Sequence, residues 1–403
     1  MESAPAKLIR IAFLGADSDT SNLVRAADAD RFFIIAGSCE VELHPSAVSS
    51  PLLFPFPRFE SWEWLLDQNV VDVVVVARDS DQDRRAEQLR KLIQVGMPVL
   101  VAHPVVDSML VYYELDMIRR DTGSLVMPYL PLRHHPAMHS LRQLSAANSA
   151  LGKVEQVVME RTIVEAEHGS VTRQFCRDVD LIRAVAGDMT RLGAMGAGSG
   201  GSAHAGLGVQ MSGPRGIAAR WSVDSMHGSH AGRMSVLGSH GKAVLTLAAP
   251  AEPWILESRI DGKDNAQSFA VWNPAADAMT RLRAALAGGT SEPEWVDAAR
   301  AVELAETIDR SLAKSRMIEL YYEDYTEEGT FKGTMTSVGC GLLIFGLILL
   351  GAVAIADQLG VPHLKGWPYA LVALLGVFLL LQLLTLVFQK EPSGASAAPN
   401  SPE

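Results

Sequence analysis

The sequence predicts an α/β fold: an N-terminal Rossmann-like doubly wound parallel sheet, a C-terminal α/β domain on an open, mostly antiparallel sheet, and two transmembrane helices. Three observations predict it. Short β-rich runs alternate with helical patterns through the first 130 residues. From about Pro136 the strands lengthen and alternate apolar with polar residues. Near the C-terminus, the stretches 338–356 and 367–388 run 19 and 22 residues without a charge.

The first strand is LIRIAFLG (8–15), ending at Gly15 and followed by helix over 22–27. FFIIAG (32–37) is the second strand, LLFPF (52–56) a weak third, and 59–68 a short helix. VDVVVVAR (71–78) is apolar almost throughout, as a parallel strand covered on both faces must be. A helix over 81–95, the strand MPVLVAHP (97–104), a helix over 106–120 and the strand SLVMPYLPLR (124–133) complete a doubly wound order. Beyond it the pattern predicts a helix at 136–147, a strand at 154–164 and a helix at 176–186. A glycine-rich loop at 193–208 then precedes strands at 216–223, 232–239 and 242–249. An amphipathic helix at 295–314 leads into a strand at 316–322. The expected domains are therefore 1–130 and 131–322, a linker at 323–335, a membrane hairpin within 336–388 and a disordered tail at 389–403.

At 1.5 Å per residue the two apolar helices would measure about 28 and 33 Å, matching a hydrocarbon core of about 30 Å. The segment MESAPAKLIRIAFLGAD has no apolar run long enough for a signal peptide, so the bulk of the chain is expected to be cytoplasmic. Lys332 and Lys390 flank the retained side and agree with that orientation. The expected location is a membrane, crossed twice, where a membrane-protein partner becomes available. A formal net charge of -11 argues against nucleic acid as a partner. Three cysteines, Cys39, Cys176 and Cys340, suggest no disulfide framework.

The turn after the first strand carries the first chemical question. A dinucleotide fold wants G-x-G-x-x-G there, so that the backbone can turn, approach a pyrophosphate and pack closely. Here the segment reads Gly15-Ala16-Asp17-Ser18-Asp19-Thr20, with only the first glycine present. Asp17 stands where bare backbone is needed, and Asp19 adds a second carboxylate at a helix end that would otherwise attract phosphate. Ser18 or Thr20 would serve a phosphate or simply cap the helix. Glu40, 25 residues past Gly15, is placed for an adenosine ribose or for solvent. Gly15, Ser18, Thr20, Glu40, Ala77 and Arg78 form the candidate cofactor-binding set, with NAD or NADP the candidate cofactor, or none if the site is degenerate.

Several segments, in order, resemble the glucose–fructose oxidoreductase, inositol dehydrogenase and MocA (Gfo/Idh/MocA) family. They are VDVVVVAR (71–78), VGMPVLVAHP (95–104), Leu132-Arg133-His134-His135-Pro136, Leu141-Arg142, Leu151-Gly152-Lys153-Val154, Val236-Leu237-Gly238-Ser239-His240-Gly241, and the stretches 299–302 and 305–311. The likeness spans about residues 8 to 320. It implies a Rossmann domain paired with an open-sheet domain, NAD(P)-dependent chemistry on sugars or polyols, and oligomers formed through the open sheet.

The family's active-site positions are altered here. Its fifth strand ends in Glu-Lys-Pro, and this chain has Ala102-His103-Pro104. Its second-domain helix carries Asp-x-x-x-His and a further Asp. That register falls on Arg173 and Arg177, with Asp180 retained. Histidine removes a carbinol proton near neutral pH, whereas arginine stays protonated above pH 12 and cannot. Arg173 and Arg177 lie one helical turn apart, suited to a carboxylate or phosphate, or to a membrane-facing or oligomer-facing surface. His103, Arg173, Arg177 and Asp180 are the candidate catalytic residues, His103 retaining acid–base capacity. No Cys or carboxylate cluster supports a metal site beside His227 and His230.

Two functions follow. The first is a membrane-anchored, oxidoreductase-like protein with a degenerate active site, binding a small polar ligand or scaffolding a partner. The alternative is an active NAD(P)-dependent oxidoreductase on a sugar, polyol or sugar acid. A homo-oligomer through the second sheet is expected under either.

Overall fold

The computed structural model describes residues 8–40, 56–164, 167–196, 206–225, 232–249 and 252–320. Its first sheet contains β1 (Ile9–Leu14), β2 (Phe33–Cys39), β3 (Val73–Val76), β4 (Val99–Ala102) and β5 (Val126–Tyr129). All neighbours are parallel, in the order β2-β1-β3-β4-β5. Alternation explains its two-sided core. Ile11, Phe13, Val73, Val75 and Leu100 face α1 (Ser18–Ala29), while Ala12, Leu14, Val74, Val76, Val99 and Val101 face α2 (Gln82–Gln94) and α3 (Met109–Thr122).

The second sheet has nine strands in the order β13-β12-β11-β10-β6-β9-β8-β7-β14. They are β6 (Val154–Ile163), β7 (Arg191–Met195), β8 (Gly208–Ser212), β9 (Ala218–Ser225), β10 (Gly232–Gly238), β11 (Gly241–Leu247), β12 (Trp254–Ile260), β13 (Lys263–Phe269) and β14 (Ile318–Glu319). Only β6 and β9 pair in parallel. Helices α4 (Pro136–Leu144), α5 (His168–Ala186) and α7 (Trp295–Lys314) cover one face, and α5 lies on β6 and β9. Helix α6 (Pro274–Leu286) instead sends Ala275, Ala278, Met279 and Leu282 into the first sheet's core beside α1. The open face mixes exposed Leu237 and Ile255 with Glu160, Arg220 and Arg233.

Several expectations change. The helix expected at 59–68 is a single 3-10 turn, Trp62–Leu66, started by Ser61 and stopped at Asp67. Helix α5 begins at His168, eight residues before the expected start at Cys176, because Val171 and Phe175 continue its buried stripe. The glycine-rich stretch is not all loop: Gly193 lies inside β7, and β8 begins at Gly208. The β12–β13 hairpin and α6 were not anticipated at all. The weak strand at 52–56 falls almost entirely, and both membrane segments entirely, outside the described residues. Among the described residues, no helix is long and apolar enough to cross a membrane.

Candidate functional site

The site lies where the N-terminus of α1 meets α5 and the end of β6. Gly15 makes the turn out of β1 at φ +79°, in the left-handed region, and its amide bonds the Cys39 carbonyl. Asp17 caps α1: its carboxylate accepts from the Thr20 amide at 2.7 Å, and the Asp17 amide donates back to the Thr20 hydroxyl at 2.8 Å. The second carboxylate oxygen accepts from the Arg78 amide at 3.1 Å. Asp17 therefore spends both oxygens on backbone amides around the turn. Thr20 is fully buried, and its hydroxyl completes the capping box with Asp17.

Arg85 dominates the other side of the turn. It is fully buried, and its Nη2 lies 2.7 Å from the point a Cβ on Gly15 would occupy. It donates to Asp79 at 2.9 Å and to Gln88 at 2.9 Å, and lies 3.8 Å from Glu40. Burial lowers its pKa, opposed by Asp79 and Glu40. Glu40 also accepts from Gln88 at 2.7 Å. The acid expected to meet a ribose is thus held in an internal network. Ala77 is buried beneath Gly15, its amide bonding Leu14. The Arg78 side chain is held by Asp107 at 2.9 Å and the Pro104 carbonyl at 3.1 Å.

His103 follows β4 and precedes a cis peptide bond to Pro104. Its ring is buried, edge-on to Tyr112, and Nε2 has no hydrogen-bond partner among the described residues. Burial, with Arg177 nearby, pushes its pKa down to about 3. The imidazole is neutral and enclosed, and the main-chain carbonyl of His103 is the part that meets the site, accepting from Arg177 Nε at 3.1 Å. Asp180 is likewise withdrawn. It is buried on α5 and paired with Arg133, which also binds Asp297 at 2.8 Å. Burial raises its pKa, and Arg133 opposes the rise. Its contacts are those of a structural ion pair.

Arg173 and Arg177 do come together. With Ser18, Ile163, Val164, Ser170 and Gln174 they line a cleft of about 410 Å³. Arg173 donates to the Ser170 hydroxyl at 3.1 Å. Arg177 forms a salt bridge with Asp19, whose pKa burial raises and Arg177 opposes. Gln174 is oriented by Asp178, which also accepts from Arg161 at 2.9 Å and the Trp221 indole at 2.9 Å. Asp178, Gln174 and Arg85 escaped the sequence reading. Asp178 and Gln174 lie within the altered motif, but α5 was expected to begin beyond Gln174. Among the described residues no three His, Cys, Asp or Glu side chains converge for a metal. His227 and His230 lie outside them.

The fit of a dinucleotide follows from these contacts. Two carboxylates, Asp17 and Asp19, stand at the α1 N-terminus. The cofactor-facing acid, Glu40, is bonded inward. The residues present do not fit a pyrophosphate in the fold's usual turn.

Sheet order defines the class: a five-stranded parallel, Rossmann-like sheet joined to a nine-stranded mixed sheet. No model of a known protein family matches the chain, and no curated protein matches its sequence. Solved structures do match the fold. A myo-inositol dehydrogenase from Corynebacterium glutamicum aligns with TM-score 0.61 and 16% identity, covering 78% of this chain and 100% of that one. An aldose-aldose oxidoreductase from Caulobacter crescentus, complexed with glycerol, gives TM-score 0.64 and 15% identity over 78% of this chain and 100% of that one. An oxidoreductase from Agrobacterium radiobacter, in complex with NAD+, L-tartaric acid and magnesium, gives 0.63 and 13% over 77% and 98%. These likenesses show the fold.

Proposed function

We propose that this chain is a divergent member of the Gfo/Idh/MocA family whose cleft binds a small polar ligand without the usual dinucleotide pose. The observation that carries this is the Asp17 carboxylate, bonded to the Thr20 and Arg78 amides where a pyrophosphate would otherwise be cradled. The enclosed His103 and the Asp19-paired Arg177 support it, because neither is arranged to take a carbinol proton. On this reading the segments 338–356 and 367–388 tether the protein to a membrane with its bulk cytoplasmic, and the second sheet's open face pairs with another copy.

A second reading is favoured by the comparisons. The three solved structures named above are all oxidoreductases, and one holds NAD+. Under it, the chain is an NAD(P)-dependent oxidoreductase on a sugar, polyol or sugar acid, with a rearranged turn. The comparisons weigh toward this second reading and the side-chain geometry toward the first.

Calorimetric titration of the full chain with NAD(H) and NADP(H) separates them. The first reading expects no saturable binding by folded protein. Micromolar binding would overturn it and establish the second.

A further inference from the structure

The seven residues lining the 410 Å³ cleft include two arginines and no carboxylate. The volume falls within the range of about 300–1,000 Å³ common for small-molecule sites. Arg173 and Arg177 project from successive turns of α5, and the opposite wall is Ser18, the first residue of the 12-residue helix α1. Two guanidinium groups meet at one opening, and each favours an oxyanion. The remaining walls suit a polyol skeleton. Ser18, Ser170 and Gln174 offer hydroxyl and amide groups, and Ile163 and Val164 form an apolar side. Gln174 is held by the buried Asp178, so its amide is already oriented.

The structure also contains a carboxylate on this site. Asp19, from the first turn of α1, reaches Arg177. The pair is only partly enclosed, with side-chain exposures of 38% for Arg177 and 20% for Asp19. An incoming oxyanion can therefore reach Arg177 from solvent and compete with Asp19 for it.

We infer that the cleft binds a sugar- or polyol-sized oxyanion, a sugar acid or polyol monophosphate, between Arg173 and Arg177, with Asp19 as the internal group it displaces. The inference rests on the small-ligand reading of the cleft and specifies its chemistry. Carboxylate and phosphate share the recognition, and the experiment has an arm for each.

The test is calorimetric titration of the full chain with D-galacturonate, myo-inositol 1-phosphate and neutral myo-inositol. At least one anion is expected to bind, and the neutral polyol at least tenfold more weakly. The stronger anion assigns carboxylate or phosphate. Arg173→Gln and Arg177→Gln should each weaken that anion at least tenfold, while Asp19→Asn, which removes the internal competitor, should tighten it severalfold. If myo-inositol binds as well as both anions, or the arginine variants bind unchanged, the anion inference fails and the small-ligand cleft stands. If folded protein binds none of the three, both fail.

Discussion

Asp180 separates a structural from a catalytic reading of α5 most sharply. Its carboxylate is 1% exposed and takes two hydrogen bonds from Arg133, the one from Nε at 3.1 Å. Arg133 in turn binds Asp297, and Arg183 ties Asp297 at 3.1 Å and Asp188 at 2.8 Å. Removing one member of a buried pair leaves an uncompensated charge and costs about 3–5 kcal/mol. Arg133 keeps Asp297, so Asp180→Leu should cost about 3 kcal/mol, near the lower end. Replacing both partners, as Arg133→Met with Asp180→Leu, removes the stranded charge. The double variant should therefore lose about 1 kcal/mol or less, about 2 kcal/mol less than Asp180→Leu alone. Urea unfolding followed by tryptophan fluorescence measures all four corners of the cycle. An additive cycle would refute the pairing argument. An Asp180→Asn variant of unchanged stability that loses ligand binding or turnover would return Asp180 to the site.

Two further outcomes follow from the same contacts. His103 titrates at about 3 when folded, against 6.5 ordinarily. The unfolded chain therefore binds the extra proton between these values, and stability falls as pH drops from about 6.5 toward 3, by up to about 1.4 kcal/mol per unit. His103→Leu should flatten that part of the stability profile, and an unchanged slope would show that the ring protonates in the folded state. Gly15→Ala should cost about 1–3 kcal/mol in chemical denaturation, since its φ is +79° and its Cβ would meet Arg85. A Gly15→Ala variant of unchanged stability would show that the backbone conformation there carries no strain.

Legibility followed the strength of local pattern. The run at 71–78 has one stable solution, a strand buried on both faces, and β3 is that strand. The β12–β13 hairpin and α6 were missed although signals for both are present. Asp261-Gly262 supplies a hairpin turn with both residues at positive φ, and Asn273-Pro274 starts a helix with a capping side chain and proline at its first position. Strand β13 hid because it buries almost nothing: six of its seven residues are exposed, so no apolar alternation marks it. The sequence placed Arg173 and Arg177 one helical turn apart but left open whether they converge, and both line the cleft. It left Asp180 between a structural and a ligand contact, because the residue it pairs with, Arg133, is 47 positions away.

The same distance in sequence hid the relation between the two ends of the site. Read along the chain, a carboxylate in the phosphate turn and an arginine in place of a catalytic histidine are separate departures. In the structure Asp19 and Arg177 are partners, 158 positions apart. An arginine at 177 cannot shed its charge as a histidine does, so within a half-enclosed cleft it needs a counter-ion whenever no anionic ligand is present. Asp19 supplies it from the α1 terminus, where a carboxylate is also favoured by the helix dipole. Each charge is balanced by the other. Neutralising only one of them, Arg177 or Asp19, leaves the other without its counter-charge.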